Sequence, residues 1–345
     1  MALPTKAAGW DPVGLQVGDP DAPVERLGVC HDVTSAVVAA AADRGVGLLV
    51  AYHPLLFRPT TSFVRGPSPA GLAHELAGAG IALVVVHTAF DIAPGGAAEA
   101  LARHVGVESP RPFGPVWPSD SVKIVTFCPS DDADRVATAM GDAGAGSIGA
   151  YDHCSFRIEG EGTFWPSAEA TPVVGEGGSF NRVDEIRVEM VAPTGAVDDV
   201  VAALVTAHPY EEPPYDVYDR RGDAGFVGRV GDLAATTSLG ELAGAFEGAV
   251  RISGDEASPV RVVAVVPGSG GSLVGSAAAV RADVLVTGDV RHHDARLAER
   301  KGLAIVDPGH AATERPGVRA LYAAVAAIDG EAVDLGDVDP DPWAR

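Results

Sequence analysis

The chain has 345 residues, 47% of them hydrophobic and 21% charged. That is the balance of a globular protein with more chain than one ordinary core needs, so two domains are expected. With 25 basic against 47 acidic residues the formal charge is −22, which repels a polyphosphate backbone over most of the surface; nucleic acid is therefore an unlikely match, although a compact anion at a local cationic pocket is still allowed.

No apolar run approaches the roughly 20 residues that cross a bilayer. The opening "MALPTKAAGWDP" lacks the basic and apolar regions of a secretion signal. A cytoplasmic protein without membrane contact is expected. Cys30, Cys128 and Cys154 have no C-x-x-C spacing, and Cys30 and Cys128, within strand-like runs, read as small buried residues.

Along the chain, "ERLGVCHDV" reads as strand, "SAVVAAAADRG" as helix and "GLLVAYH" as strand. "SPAGLAHELAGAG" is helix, "IALVVVH" strand and "GGAAEALARHVGV" helix. Continuous apolar strands between amphipathic helices predict an α/β domain with a mainly parallel sheet covered on both faces. "SPRPFGPVWPSD" (109–120) then reads as a proline-rich boundary. Beyond it, "VKIVTFCP", "DADRVATAMGDAG", "HCSFRIEGEGTF", "DEIRVEMVAP", "AVDDVVAALVTAH" and "PYDVYDR" give βαββαβ, the ferredoxin-like α+β order. The α/β rhythm returns with "VRVVAVVPG", "GSLVGSAAAVRA", "DVLVTGD", "HHDARLAERKG", "LAIVDPG" and "GVRALYAAVAA". Segments 1–118 and 226–345 are thus expected to form one discontinuous domain, with 120–222 inserted.

Polar residues gather where the parallel strands end, the usual place for sites in open α/β sheets. His53 ends one strand; His87 ends the next, with Asp91 four residues on. Asp289 follows a third, with His292 and His293 opening the next helix, and Asp307, His310 and Glu314 follow a fourth. Pro316 suits the first turn of a helix, which would put Glu314 at that helix's start. Singly, each of these reads as structural. Jointly, His and carboxylate donors from four strand ends point to a metal, and donors without thiolate suit Zn, Mn, Fe, Co or Ni. A carboxylate free to bridge makes two ions about 3.5–4 Å apart plausible.

In order, "GWDPVGLQVGDP", "LLVAYHPLLFRP", "HTAFDIAPGG", "GSGGSL", "TGDVRHHDA" and "DPGHAATE" resemble the Nif-three-like family over nearly the whole chain. Its members are dinuclear metal-centre hexameric proteins, often named GTP cyclohydrolase I type 2 homologues. The middle segment, with "AHPYEEPPYDVY", is similar to the PII/CutA-like insert of the long bacterial form. The resemblance implies two divalent ions and a homohexamer. It implies His53, Asp91, His310 and Glu314 as ligands, Asp91 as the bridge. Where the family has the first histidine of a His-His pair, this chain has Tyr52. A phenol, with a pKa of about 10, is a poorer ligand than imidazole. The second ion is then held weakly, recruits Tyr52 or His87, or is absent.

Asp289 and His293 read either as outer groups that orient ligands or as stabilisers of the strand–helix turn. Arg58, Arg291 and Arg315 lie near the motifs and could meet a phosphate, though ordinary surface arginines are the simpler reading. His31 and His104 read as histidines without chemistry. Three functions compete: a metal-dependent hydrolase of a nucleotide or small phosphorylated compound, a small-molecule-sensing regulator with a structural metal site, and a metal-handling protein. The small molecule is substrate in the first and ligand in the second.

Overall fold

A computed structural model describes residues 4–116, 121–167, 169–170, 172–220 and 225–343. The chain divides into two compact units, Met1–Pro118 with Ala224–Arg345, and Ser119–Asp223.

The first unit begins with strands β1 (Gly14–Val17), β2 (Leu27–Cys30), β3 (Leu48–Ala51) and β4 (Ala82–Val85), with helices α1 (Ser35–Asp43) and α2 (Pro69–Gly78) as crossovers. Helix α1 starts where the Thr34 side chain accepts from Val37 N, and α2 where Ser68 accepts from Gly71 N ahead of Pro69; both are favoured caps. Helices α3 (His87–Ile92) and α4 (Ala97–His104) and strand β5 (Val107–Val116) complete this half.

The second unit carries β6 (Ser121–Cys128), α5 (Ala133–Asp142), β7 (Ser155–Phe164), β8 (Asn181–Pro193), α6 (Val197–Ala207) and β9 (Tyr215–Asp219). Its sheet order is β7-β8-β6-β9, antiparallel throughout, the ferredoxin-like arrangement. Val136, Met140, Val200 and Leu204 of the two helices close its core against Ile124, Val188 and Met190.

The first unit resumes with β10 (Gly225–Ser238), α7 (Leu239–Ala243), β11 (Arg251–Ser253), β12 (Pro259–Ser269), α8 (Val274–Ala279) and β13 (Val284–Gly288). It ends with α9 (His292–Arg300), β14 (Ala304–Asp307), α10 (His310–Ala326) and β15 (Val333–Asp334).

This unit contains two sheets, not one. The order β1-β4-β3-β2-β15 is parallel except for β1. The order β11-β14-β13-β12-β10-β5 has a parallel centre and antiparallel flanks. Strand alternation divides the packing: Leu49 and Ala51 join α1 and α2 residues such as Val37 and Leu76, while Val50 and Tyr52 join Leu321 and Val325 of α10. Helix α10 also packs on β12, β13 and α4, so one helix serves both sheets.

Two local expectations are corrected. The proline-rich stretch 109–120 is strand as far as Val116; residues 117–120, like 221–224, lie outside the described residues. Pro112 pairs opposite Arg229 and Pro115 opposite Phe226. A strand without these N–H donors is tolerated because β5 is the sheet edge. Helix α10 starts at His310, so Pro316 lies inside it instead of in its first turn. His310 and Glu314 are consequently four apart on one helical face.

Helix α10 crosses α4 at Gly317, where a Cβ would meet the Ala97 Cβ at 2.4 Å and its Cα at 2.8 Å. One is a backbone atom and the other is bonded directly to it, so neither can retreat without moving α4. Gly317→Ala should lower unfolding free energy by about 1–3 kcal/mol through overpacking, read as a lower denaturant midpoint. An unchanged midpoint would mean that the helices separate freely.

Candidate metal centre

The parallel strands of the first sheet end in step. Tyr52 N donates to Cys30 O and His53 N to His31 O, each at 3.0 Å; Val86 N donates to Ala51 O at 3.1 Å and His87 N to Tyr52 O at 3.0 Å. Pairing therefore continues just past the strands and aligns His31 and Asp32, Tyr52 and His53, and His87 along one carboxyl edge. The second sheet contributes Asp289 after β13. Its strand β14 leads into α10, which brings His310 and Glu314.

Three imidazoles converge on one carboxylate. Glu314 is buried, 3% exposed. Its Oε2 lies 2.7 Å from His31 Nε2 and 3.2 Å from His53 Nε2, and its Oε1 lies 3.1 Å from His310 Nε2. For two of the imidazoles the opposite ring nitrogen is anchored. His53 Nδ1 is 3.0 Å from Asp32 Oδ1, and His310 Nδ1 is 2.6 Å from Asp289 Oδ2. His87 Nδ1 is 2.9 Å from Asp11 Oδ1, and Thr88 fixes Asp11 by donating its N–H at 3.0 Å to Oδ2. A carboxylate holding one nitrogen aims the other, the arrangement that orients imidazole ligands in metalloproteins.

Tyr52 is fully buried and its hydroxyl donates to Asp91 Oδ1. Burial and the neighbouring Asp91 hold the phenol well above its usual 10, so Tyr52 is a neutral donor. Burial lifts the Asp91 carboxyl to about 7, although the Tyr52 bond pulls the other way. For Glu314 burial opposes ionisation, yet hydrogen bonds from His31, His310 and His53 hold it well below 4.5. Burial would depress His53, but hydrogen bonds to Asp32 and Glu314 carry it up to about 10. For His310 the Glu314 bond dominates and lifts it to about 9.

The donor chemistry fits a divalent ion. His53, His310 and Glu314 offer ligand atoms within 4.8 Å of one another, as do His31, Asp32 and His53. Neither group contains a thiol. Glycine is required beside them: a Cβ on Gly268 would stand 2.5 Å from Glu314 Oε1 and 3.3 Å from His310 Nε2. A dication would take over the charge balance that imidazolium protons otherwise supply to these carboxylates.

The structure thus brings together His53, His310 and Glu314, with Asp289 behind His310, His87 opening α3 just after the neighbouring strand, and Tyr52 clamping Asp91. It does not bring in His293, which is exposed with its ring against His292. Arg291 is exposed and pairs with Asp294 at 3.1 Å. Arg58 is exposed and Arg315 half-buried, with no ion pair among the described residues. His31 is the principal correction: expected to lack chemistry, it is buried and touches Glu314. Asp32 and Asp11, not among the expected site residues, hold His53 and His87. The available signal was positional, since "CHD" follows β2 as "YHP" follows β3.

A family model described as Duf34/NIF3 (NGG1p interacting factor 3) matches residues 1–338. A Halalkalibacterium halodurans protein named GTP cyclohydrolase 1 type 2 homolog is 34% identical over 88% of this chain and 84% of its own. One of the same name from Mycobacterium leprae is 36% identical over 99% and 91%. A solved Bacillus cereus protein related to NIF3 has a TM-score of 0.62 at 34% identity, covering 100% of this chain and 96% of that one.

Metal and protons should compete here. Without metal, the raised His53 and His310 contribute stability that is complete below their usual 6.5 and is lost as pH rises through about 9 and 10. Metal binding must displace those protons, so affinity should climb from pH 6.5 towards 9. Melting temperatures with chelator should fall over that window, while those with Zn²⁺ or Mn²⁺ hold. Parallel curves for the two states would contradict this linkage.

Proposed function

The chain belongs to the Duf34/NIF3 family, and from that premise we propose that it is a dinuclear metal-dependent hydrolase of a nucleotide or another small phosphorylated compound. The observation that carries the reading is the buried Glu314 carboxylate with three imidazole Nε2 atoms within 3.2 Å of its oxygens. His53, His310 and Glu314 would hold the first ion. Asp91 would serve a second: Tyr52 engages its Oδ1, and Oδ2 has no hydrogen bond to protein among the described residues.

Divalent ions supply Lewis acidity, which polarises a phosphoryl or ring C=N group and acidifies water. The chain's own residues orient and shield. Asp32 and Asp289 fix the imidazole rings and the buried Tyr52 holds Asp91; Arg58 and Arg315, without an ion pair among the described residues, would be the first cations to test against a phosphate. Trp10 and Phe57, both exposed, have ring centroids 6.0 Å apart, and Trp10 stands edge-on to His87 at the same separation. Such an aromatic rim suits a flat heterocycle. The names of the relatives favour GTP as the first substrate to try.

A sensing function is the second reading, and its seat would be Ser119–Asp223, a unit with its own core. No helix among the described residues is long and apolar enough to cross a membrane. Self-association into a hexamer is part of the proposal, and sedimentation reads it directly. Metal-reconstituted protein should turn over GTP or a member of a nucleotide and phosphoester panel. Asp91→Ala and Glu314→Gln should each lower that rate by about 100-fold or more, beyond the loss that removing an orienting neighbour causes, and Trp10→Ala should raise KM. Tight metal binding with no turnover across the panel would transfer the case to the sensor.

A further inference from the structure

Position 52 delivers no imidazole to the centre. Its hydroxyl is committed to Asp91, and its ring is buried among Val29, Val50, Phe90 and Leu321. Strand β3 therefore supplies one histidine, His53. One strand over, at the same level of the sheet, β2 supplies His31. The two are joined by the 3.0 Å hydrogen bond from His53 N to His31 O, and their rings stack with centroids 4.6 Å apart.

His31 has the attributes of a ligand. It is 5% exposed, and its Nε2 approaches the Glu314 oxygen that His53 Nε2 also approaches, at 2.7 and 3.2 Å. Its other ring nitrogen, Nδ1, lies 3.8 Å from Asp32 Oδ2. The turn that carries it is held from outside the sheet: buried Asp339 accepts from His31 N at 3.0 Å and from Asp32 N at 2.7 Å through a single oxygen, Oδ2. A turn held in this way aims an imidazole that has no other chemical duty. The His31 and Tyr52 rings are 5.5 Å apart, so an imidazole lost at one position is within reach of replacement from the other.

We propose that His31 is a metal ligand in this chain, binding on the Oε2 side of Glu314 with His53 and supplying the imidazole that Tyr52 does not. This rests on the metal-centre reading above and adds a residue to it.

The test uses full-length protein, stripped of metal and reloaded with Zn²⁺ for stoichiometry and affinity by chelator competition, and with Co²⁺ for its visible spectrum. Orienting neighbours of a metal ligand account for affinity losses of about 10–100-fold. His31→Ala should lose one bound ion or weaken binding beyond that span, with a changed Co²⁺ spectrum. Tyr52→His added to His31→Ala should restore tight binding. His31→Gln, which keeps an amide donor toward Glu314 and guards against misfolding, should bind as poorly as His31→Ala. Glu314→Gln reports on the centre independently. If His31→Ala and His31→Gln keep wild-type stoichiometry and spectrum with affinity within about tenfold, while Glu314→Gln loses metal, His31 is no ligand and the centre stands. If the wild-type chain retains no Zn²⁺ or Co²⁺, both ideas fall together.

Discussion

A carboxylate in a protein interior must be compensated, and Glu314 sets that requirement for the centre. An isolated buried charge is prohibitively costly, whereas one that is paired and fully hydrogen-bonded persists. Here the partners are imidazoles from three directions: two follow neighbouring strands of one sheet, and one lies a helical turn back on α10. Meeting the requirement forces the first sheet's carboxyl edge and the start of α10 to remain together. The closeness of α10 to its surroundings serves the same end. Glycines at 268, 288 and 317 each stand where a Cβ would come within 2.7 Å of a neighbouring atom, two of those neighbours belonging to α10 and the third packing against it.

The remaining carboxylates work through other side chains. Asp32 and Asp289 hold the back of His53 and His310, and Asp11 holds His87. Asp91 is held by Tyr52. The helix that carries Asp91 is itself tied to the second sheet. Buried Arg229 on β10 donates to the Ile92 carbonyl at the end of α3 at 3.2 Å, to Phe226 and Gly228 carbonyls at 2.7 and 3.0 Å, and pairs with Glu99. A guanidinium that loses solvent and gains three carbonyls and a carboxylate is a fastener with a fixed direction. Its positive charge also lies near enough to interact with Asp91.

Hydrophobic pattern made the parallel strands and their crossover helices readable, because uninterrupted runs such as "LLVA" and "VLVT" are what a strand covered on both faces requires. The βαββαβ order of the middle segment was readable for a similar reason. Strand β5 was not, because its prolines argue against pairing and only its edge position permits it. The division into two sheets was hidden too: nothing local in β10 or β12 reveals which sheet a strand joins. In the centre, His53, His310 and Glu314 were accessible from strand ends and motif order. His31 and Asp32 had only the positional signal of following β2 as Tyr52 and His53 follow β3. That signal is weak because a histidine–aspartate pair after a strand is common; what gives it meaning is Glu314, 283 residues away from His31. Asp339 was beyond reach for the same reason, since its oxygen meets the His31 turn from the far end of the chain.

Five non-glycine residues among those described have positive φ; Ser109, His153 and Arg281 lie away from the centre and two lie at it. Among non-glycine residues, His87 has φ +24° and Asp289 has φ +54°, a region that costs L-residues on the order of 1–3 kcal/mol unless surroundings enforce it. Neither position holds glycine, which would remove that cost. Each instead carries a side chain bonded into the cluster, His87 to Asp11 and Asp289 to His310. Such strain persists where side-chain placement outweighs backbone preference. It occurs just after β4 and just after β13, one in each sheet, at residues whose side chains are bonded to Asp11 and to His310.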